Sequence, residues 1–325
     1  MEPASELIRM LSSDNFFDRQ KAAWKLVEMG AEALEPLMEA LLSEKNSQAR
    51  FKSAWALGEI KDPSAVGALV QALLEDEDEA VREWSAFALE AIGDTKAVTP
   101  LVQSLKSDES EAVRIRAAQA LIVFEVADVF MDLLEESDVL TRQMAVIGLG
   151  RLKCVEATEM VASQIEDENV GLRRRAAWAL GEMGTFDAGT FLKPALEDES
   201  HVVRMTAAKS LASVGGIDAC RMALKLIEDE HPQVRLTAVT TLGELELSEA
   251  LSHLVEKMFG EDDEEIRAWA AWSLGEIGDP AAIEALKEAC KSCPPQVQEK
   301  ARDSLVQVFG LSVDESEPAE GLQGR

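Results

Sequence analysis

The chain contains no tyrosine, and aromatic residues together make up only 5% of it. Three histidines and four cysteines are spread over 325 residues. A dinuclear or tetrahedral metal centre needs several His, Cys or carboxylate ligands that converge, and so thin a supply argues against one. Four cysteines in a chain of this length do not make a disulfide framework. The lone Cys290-Lys291-Ser292-Cys293 has no second pair to complete a zinc site. It also lacks the βαβ setting that thiol exchange would want. Positive charge is scarce too. Lys and Arg number 32 against 61 Asp and Glu, a formal net charge of -29. Phosphate recognition needs a basic face, so nucleic acid and anionic membrane surfaces are excluded as partners. No apolar run is long enough to span a bilayer, and none near the N-terminus reads as a signal peptide. A cytoplasmic location is expected. No Gly-rich phosphate loop and no Ser/His/Asp grouping is present, so neither a cofactor nor a catalytic residue is expected.

What the chain has is repetition. Arg267 to Pro280 reads R-A-W-A-A-W-S-L-G-E-I-G-D-P, and Arg50 to Pro63 reads R-F-K-S-A-W-A-L-G-E-I-K-D-P. Each copy has an anchor Arg seven residues before a Leu. The anchors are Arg19, Arg50, Arg82, Arg114, Arg142, Arg173, Arg204, Arg235 and Arg267, with Gln298 in the tenth slot. The steps between them are 31, 32, 32, 28, 31, 31, 31, 32 and 31 residues. Self-similarity at this period is the mark of a helical-repeat array.

Each unit carries two helical patterns. The first has an apolar face at three-to-four spacing, as in Val66, Leu69, Val70 and Leu73. An acidic turn follows, and then the second helix with the anchor Arg, paired alanines and the Leu. Gly, then Asp and Pro, ends it and starts the next unit, as at Gly278-Asp279-Pro280. The unit between Leu121 and Arg142 is about four residues short and lacks the closing Gly. It reads as a trimmed turn with a local change of superhelical pitch or, alternatively, as a hinge or partner notch. Residues 1–309 are expected to form one array. Residues 310–325, acidic and without periodicity, read as a disordered tail.

The pattern V-R-x-x-A-A-x-A-L-G-E-I-G-D resembles HEAT-like repeats of the phycobilisome-lyase (PBS-lyase) type, over nearly the whole chain. That resemblance implies an all-α solenoid of about ten helical hairpins wound into a right-handed superhelix. It implies a binding scaffold more often than an enzyme, although the family includes bilin lyase subunits, archaeal taxis proteins and di-iron deoxyhypusine hydroxylases. The hydroxylase branch places His-Glu dipeptides at the starts of second helices. Here His201, His231 and His253 are not followed by Glu, and the corresponding starts carry Trp84, Arg116 or Trp269. The hydroxylase chemistry therefore does not carry over.

Counted from its anchor, position +5 holds Trp24, Trp55, Trp178 and Trp272, and position +2 holds Trp84 and Trp269. Positions +1, +5 and +9 share one helix stripe, distinct from a core stripe through +4 and +7. Phe51 at +1 and Phe87 at +5 join the aromatic set, and Glu59, Glu182 and Glu276 at +9 add carboxylates. The resemblance places this stripe on the concave surface used for partners, and tryptophan is enriched at binding hot spots. An alternative reading has each Trp bridging adjacent repeats. Between the two aromatic zones lie Arg116, Gln119, Gln143, Met144, Arg151, Arg174 and Arg175. The expected function is a non-catalytic scaffold for a protein partner, in signalling, taxis or complex assembly. The alternative is a bilin lyase, a chaperone-like subunit or another enzyme component.

Overall fold

The computed structural model describes residues 3–185 and 187–311. The expected tail lies, from residue 312 onward, outside the described residues. Among those described, the structure is helices and turns with no strand. The helices pair into ten hairpins, and each hairpin holds one of the ten anchor positions. The chain divides into two compact units, Met1–Leu152 and Lys153–Arg325.

In the first unit the leading helices are α1 (Ala4–Met10), α3 (Leu34–Ser43), α5 (Val66–Glu75), α7 (Val98–Ser107) and α9 (Ala127–Leu133). The anchored helices are α2 (Phe16–Met29), α4 (Ser47–Ile60), α6 (Glu79–Ile92), α8 (Glu111–Val123) and α10 (Val139–Arg151). In the second unit the leading helices are α11 (Thr158–Ser163), α13 (Ala188–Leu196), α15 (Gly216–Leu226), α17 (Leu251–Gly260) and α19 (Ile283–Ser292). Their anchored partners are α12 (Val170–Met183), α14 (His201–Val214), α16 (Pro232–Glu244), α18 (Glu264–Ile277) and α20 (Pro295–Gln307). Within each unit anchored helices pack on anchored helices and leading helices on leading helices, which makes two layers.

The sequence starts and stops these helices by local chemistry. Asn46, Asp78 and Asp263 accept a backbone N–H two residues on and so cap α4, α6 and α18. Gly93, Gly184 and Gly278 end their helices in the left-handed conformation. Glu125 takes that conformation after α8, where the expected Gly is missing. In that short unit α9 is only seven residues long. Phe130 fills the space it leaves and is fully buried. A Cβ on Gly148 would lie 2.7 Å from the Phe130 ring, so the shortened repeat is packed tightly.

The core runs through positions +3, +4, +6 and +7, wider than the +4 and +7 stripe expected. Leu57, Leu89, Leu180, Leu211 and Leu274 are all fully buried. Position +8 faces the next anchored helix. A Cβ on Gly58 would stand 2.8 Å from the Ala88 Cα, and one on Gly275 2.4 Å from the Ser304 Oγ. Close approach lets side-chain hydroxyls cross between repeats. The Ser210 hydroxyl donates to the Ala177 carbonyl at 2.9 Å, Ser273 to Val239 at 2.9 Å and Ser304 to Ala271 at 3.1 Å. Thr241 donates to Ala208 at 3.2 Å. Each bond runs from a buried +6 hydroxyl to a +4 carbonyl of the preceding anchored helix.

The anchor arginines form a second ladder. The Arg82 guanidinium donates to both Asp108 carboxylate oxygens, at 2.8 and 3.0 Å, and to the Asp76 carbonyl at 2.8 Å. Asp76 in turn takes the Arg50 fork at 2.8 and 2.9 Å. Arg173 with Asp198 and Arg204 with Asp229 repeat the arrangement. Asp76, Asp198 and Asp229 thus accept the preceding repeat's arginine on the carboxylate and their own repeat's arginine on the carbonyl, whereas Arg114, in the repeat of Asp108, donates to the Leu105 carbonyl instead. Bidentate charge-assisted bonds of this kind are the strong ones. They hold the Arg50, Arg82, Arg173 and Arg204 guanidinium groups still more firmly protonated than usual, chiefly through the bonds to the aspartates.

Candidate partner-binding face

Positions +1, +2, +5 and +9 lie on the side of the anchored helices away from the leading layer, and their side chains, apart from Met144 and Ala268, stay partly open. In the first unit Trp24 on α2 meets Trp55 on α4 with ring centroids 5.0 Å apart and planes at 81°. Phe51 on α4 stacks on Trp84 of α6 at 6.4 Å and 21°. Trp84 then meets Phe87 edge-on at 5.4 Å. The five rings therefore form a row across three consecutive helices. Trp24 is 51% exposed, and the others are half-buried. The two sequence readings of the tryptophans, bridging and open, meet in this row. Trp24 touches the neighbouring repeat and still leaves half of its surface to solvent.

Basic side chains lie against this row, which sequence reasoning missed. The Lys52 ammonium stands 5.4 Å from the Phe51 ring and 5.6 Å from the Trp55 ring. It also donates to the Gln20 side-chain carbonyl. Burial, with the nearby Arg19 charge, lowers its pKa. The Arg116 guanidinium lies 5.7 Å from the Phe87 ring. The signal was present in the sequence as Lys52 and Arg116 at +2. Their contacts required knowing how far each helix is offset from the next.

In the second unit Trp269 and Trp272 on α18 meet edge-on at 5.2 Å, and Lys300 of α20 stands 5.3 Å over the Trp269 ring. Trp178 is half-buried on α12, three anchored helices earlier in the chain. The expected carboxylates accompany the rings. Glu59 and Glu276 are exposed and Glu182 half-buried. Met144, read as part of the polar stretch between the aromatic zones, is buried instead, because +2 of the short repeat turns inward.

The cysteines are buried, and His201 and His231 lie at helix starts. Cys293 occupies the slot that Asp76 and Asp108 fill in other repeats, and its sulfur accepts from Arg267 at 3.5 Å. Burial pushes the Cys154, Cys220 and Cys290 thiols above their ordinary range. His201 and His231 stack at 3.8 Å with planes 5° apart, at the starts of α14 and α16. Among the described residues no group of three or more His, Cys, Asp or Glu side chains could hold a metal ion. None of the described helices is long and apolar enough to cross a membrane. The open face thus offers aromatic surfaces and carboxylates.

A sequence model of HEAT repeats matches residues 34–122, 127–212 and 221–306. The PBS lyase HEAT-like repeat matches residues 18–43. No curated relative matches at the same stringency. Among solved structures, yeast importin-β (Kap95p) overlays with a TM-score of 0.62 at 16% identity, covering 94% of this chain and 49% of that one. The karyopherin Kap121p, bound to the extreme C-terminus of the phosphatase Cdc14p, overlays with a TM-score of 0.57 at 15% identity, covering 94% and 45%. This chain therefore spans about half the length of those karyopherins. Human deoxyhypusine hydroxylase also matches, at 20% identity over 90% of this chain and 100% of its own, with a TM-score of only 0.36. At these identities the likeness to the two karyopherins is one of fold.

Proposed function

The chain belongs to the HEAT-repeat family, and from that premise we propose that it is a non-catalytic scaffold whose protein partner lies along the open face of the anchored helices. One observation carries this reading. A row of aromatic side chains, led by Trp24 at 51% exposure, crosses consecutive repeats whose core is closed without it. Large aromatics left open to water are uncommon without a partner to cover them. The likeness to karyopherins, one of them holding the terminus of another protein, supports the same class of role.

The test joins binding to stability. Trp24→Ala and Trp272→Ala should each weaken capture of the native partner, since interface aromatics typically cost about 2 kcal/mol or more on truncation. Glu77→Ala, on the exposed turn edge, should not. Trp24→Ala should lower stability by less than about 1.5 kcal/mol, the scale of one edge-on aromatic contact. Undiminished capture by both Trp variants would reject the reading. The match at residues 18–43 favours a second reading, a chaperone-like lyase subunit. A shift in bilin absorbance on mixing with the purified chain would support that role, and an unchanged spectrum would reject it.

A further inference from the structure

The four tryptophans at +5 share a neighbour. Trp24 is followed four residues on by Glu28, Trp55 by Glu59, Trp178 by Glu182 and Trp272 by Glu276. The other six residues at +5 are Phe87, Gln119, Ile147, Lys209, Thr240 and Asp303, and only Thr240 is followed by a Glu at that spacing. Residues four apart on a helix stand one above the other. Each rung therefore sets an indole beside a carboxylate. Glu28, Glu59 and Glu276 are exposed. Among the described residues, and unlike the aspartates of the arginine ladder, none of the three is in an ion pair.

We propose that each Trp–Glu rung takes one lysine or arginine side chain, so that the partner presents a basic, extended segment to this face. The inference rests on the scaffold reading and names the chemistry of its partner. An indole face attracts a cation placed over it, and the carboxylate one turn on supplies the opposite charge. A long basic side chain matches both, with its aliphatic stem along the ring and its head at the carboxylate. The protein already uses its rings in this way. Lys300 covers Trp269, Lys52 covers Phe51 and Trp55, and Arg116 covers Phe87. Trp24 and Trp55 meet at 81°, so two indole walls form a corner, and Glu28 and Glu59 follow them one turn on along α2 and α4. A net charge of -29 favours a basic partner over an acidic one.

The probe is a fluorescently labelled peptide of alternating Arg and Gly, compared with the same peptide carrying citrulline, a neutral near-isostere, in place of every Arg. Anisotropy with the full chain should show the Arg peptide binding about tenfold or more tightly than the citrulline peptide. Glu28→Gln with Glu59→Gln should weaken the Arg peptide several-fold without shifting the melting temperature. Glu77→Gln with Glu109→Gln removes the same charge from exposed turn positions and should leave binding nearly unchanged. Equal affinity for the two peptides, or no binding of either, overturns the inference. So does equal weakening by the two double variants, which would mean that the overall field alone attracts the peptide. The scaffold reading fails separately, if Trp24→Ala and Trp272→Ala keep the native partner whatever its charge.

Discussion

Gly58→Ala adds one methyl group at the seam between α4 and α6. Its Cβ would stand 2.8 Å from the Ala88 Cα, 2.9 Å from the Ala88 Cβ and 3.7 Å from the Ala88 backbone nitrogen. The first of these atoms is backbone, so no rotamer change relieves the clash and the two helices must move apart. Overpacking of this kind costs about 1–3 kcal/mol. Against it stands the gain of replacing Gly by Ala within a helix, roughly 0.5–1 kcal/mol. Gly67, on α5, supplies the control, because a Cβ there meets nothing within 4 Å. Gly67→Ala should therefore stabilise by roughly 0.5–1 kcal/mol. The propensity gain enters both variants, so the difference between them isolates the clash at about 1–3 kcal/mol. Urea unfolding followed by circular dichroism and by tryptophan fluorescence measures that difference directly. If Gly58→Ala proved as stable as Gly67→Ala, α4 and α6 would not approach as closely as described.

Other expectations follow from the ladders and the core. Arg82→Met would leave the Asp108 carboxylate buried without its fork, a loss of about 3–5 kcal/mol that a denaturant titration would detect. Cys293→Asp would restore the missing carboxylate opposite Arg267 and should raise stability by about 1.5–3 kcal/mol in a thermal melt, whereas a lower melting point would contradict the slot equivalence. Leu180→Ala, at a fully buried position, should cost about 2–5 kcal/mol. For Asp229 and Glu261 burial favours protonation. Bonds from Arg204 and the His231 N–H to Asp229, and from Lys257 and Arg235 to Glu261, outweigh it and hold both carboxyls below their ordinary values. The native state then binds fewer protons than the unfolded one. Stability of the second unit should be full above the ordinary carboxylate range and fall as pH drops through the lowered values. Arg235→Gln should flatten that fall when melts are compared across acidic pH.

The helices and their phase could be read from the chain because a Leu in every unit, an Arg in nine of the ten and a recurring Gly mark the repeat. The ladder was legible only in its parts. Asp76 precedes Arg82 by six residues, a spacing that points to a ladder from arginines to turn carboxylates and carbonyls. The carboxylate takes Arg50, 26 residues back, and Arg82 reaches only the Asp76 carbonyl. Spacing along the sequence cannot reveal which repeat's arginine a turn faces, because that depends on the stagger between neighbours. The hydroxyl bonds were hidden for the same reason, since Ser210 and Ala177 stand 33 residues apart. For the open face, the sequence supplied the rings and carboxylates, but not that Trp24 would both touch Trp55 and remain half open.

Position +8 of one anchored helix and position +6 of the next are matched in volume, so the repeats are not interchangeable copies. In the first unit Val27 precedes Ala56, Gly58 precedes Ala88 and Glu90 precedes Ala120. In the second, Gly181, Gly243 and Gly275 precede Ser210, Ser273 and Ser304. Each of these serines stands behind a glycine. A rearrangement that set α14 directly behind α8 would bring Ser210 against Ile122, where no such room has been left. Duplication or deletion of a repeat can therefore succeed only where the new seam finds a matching pair. The order of units in this chain is a property of its packing as much as their number.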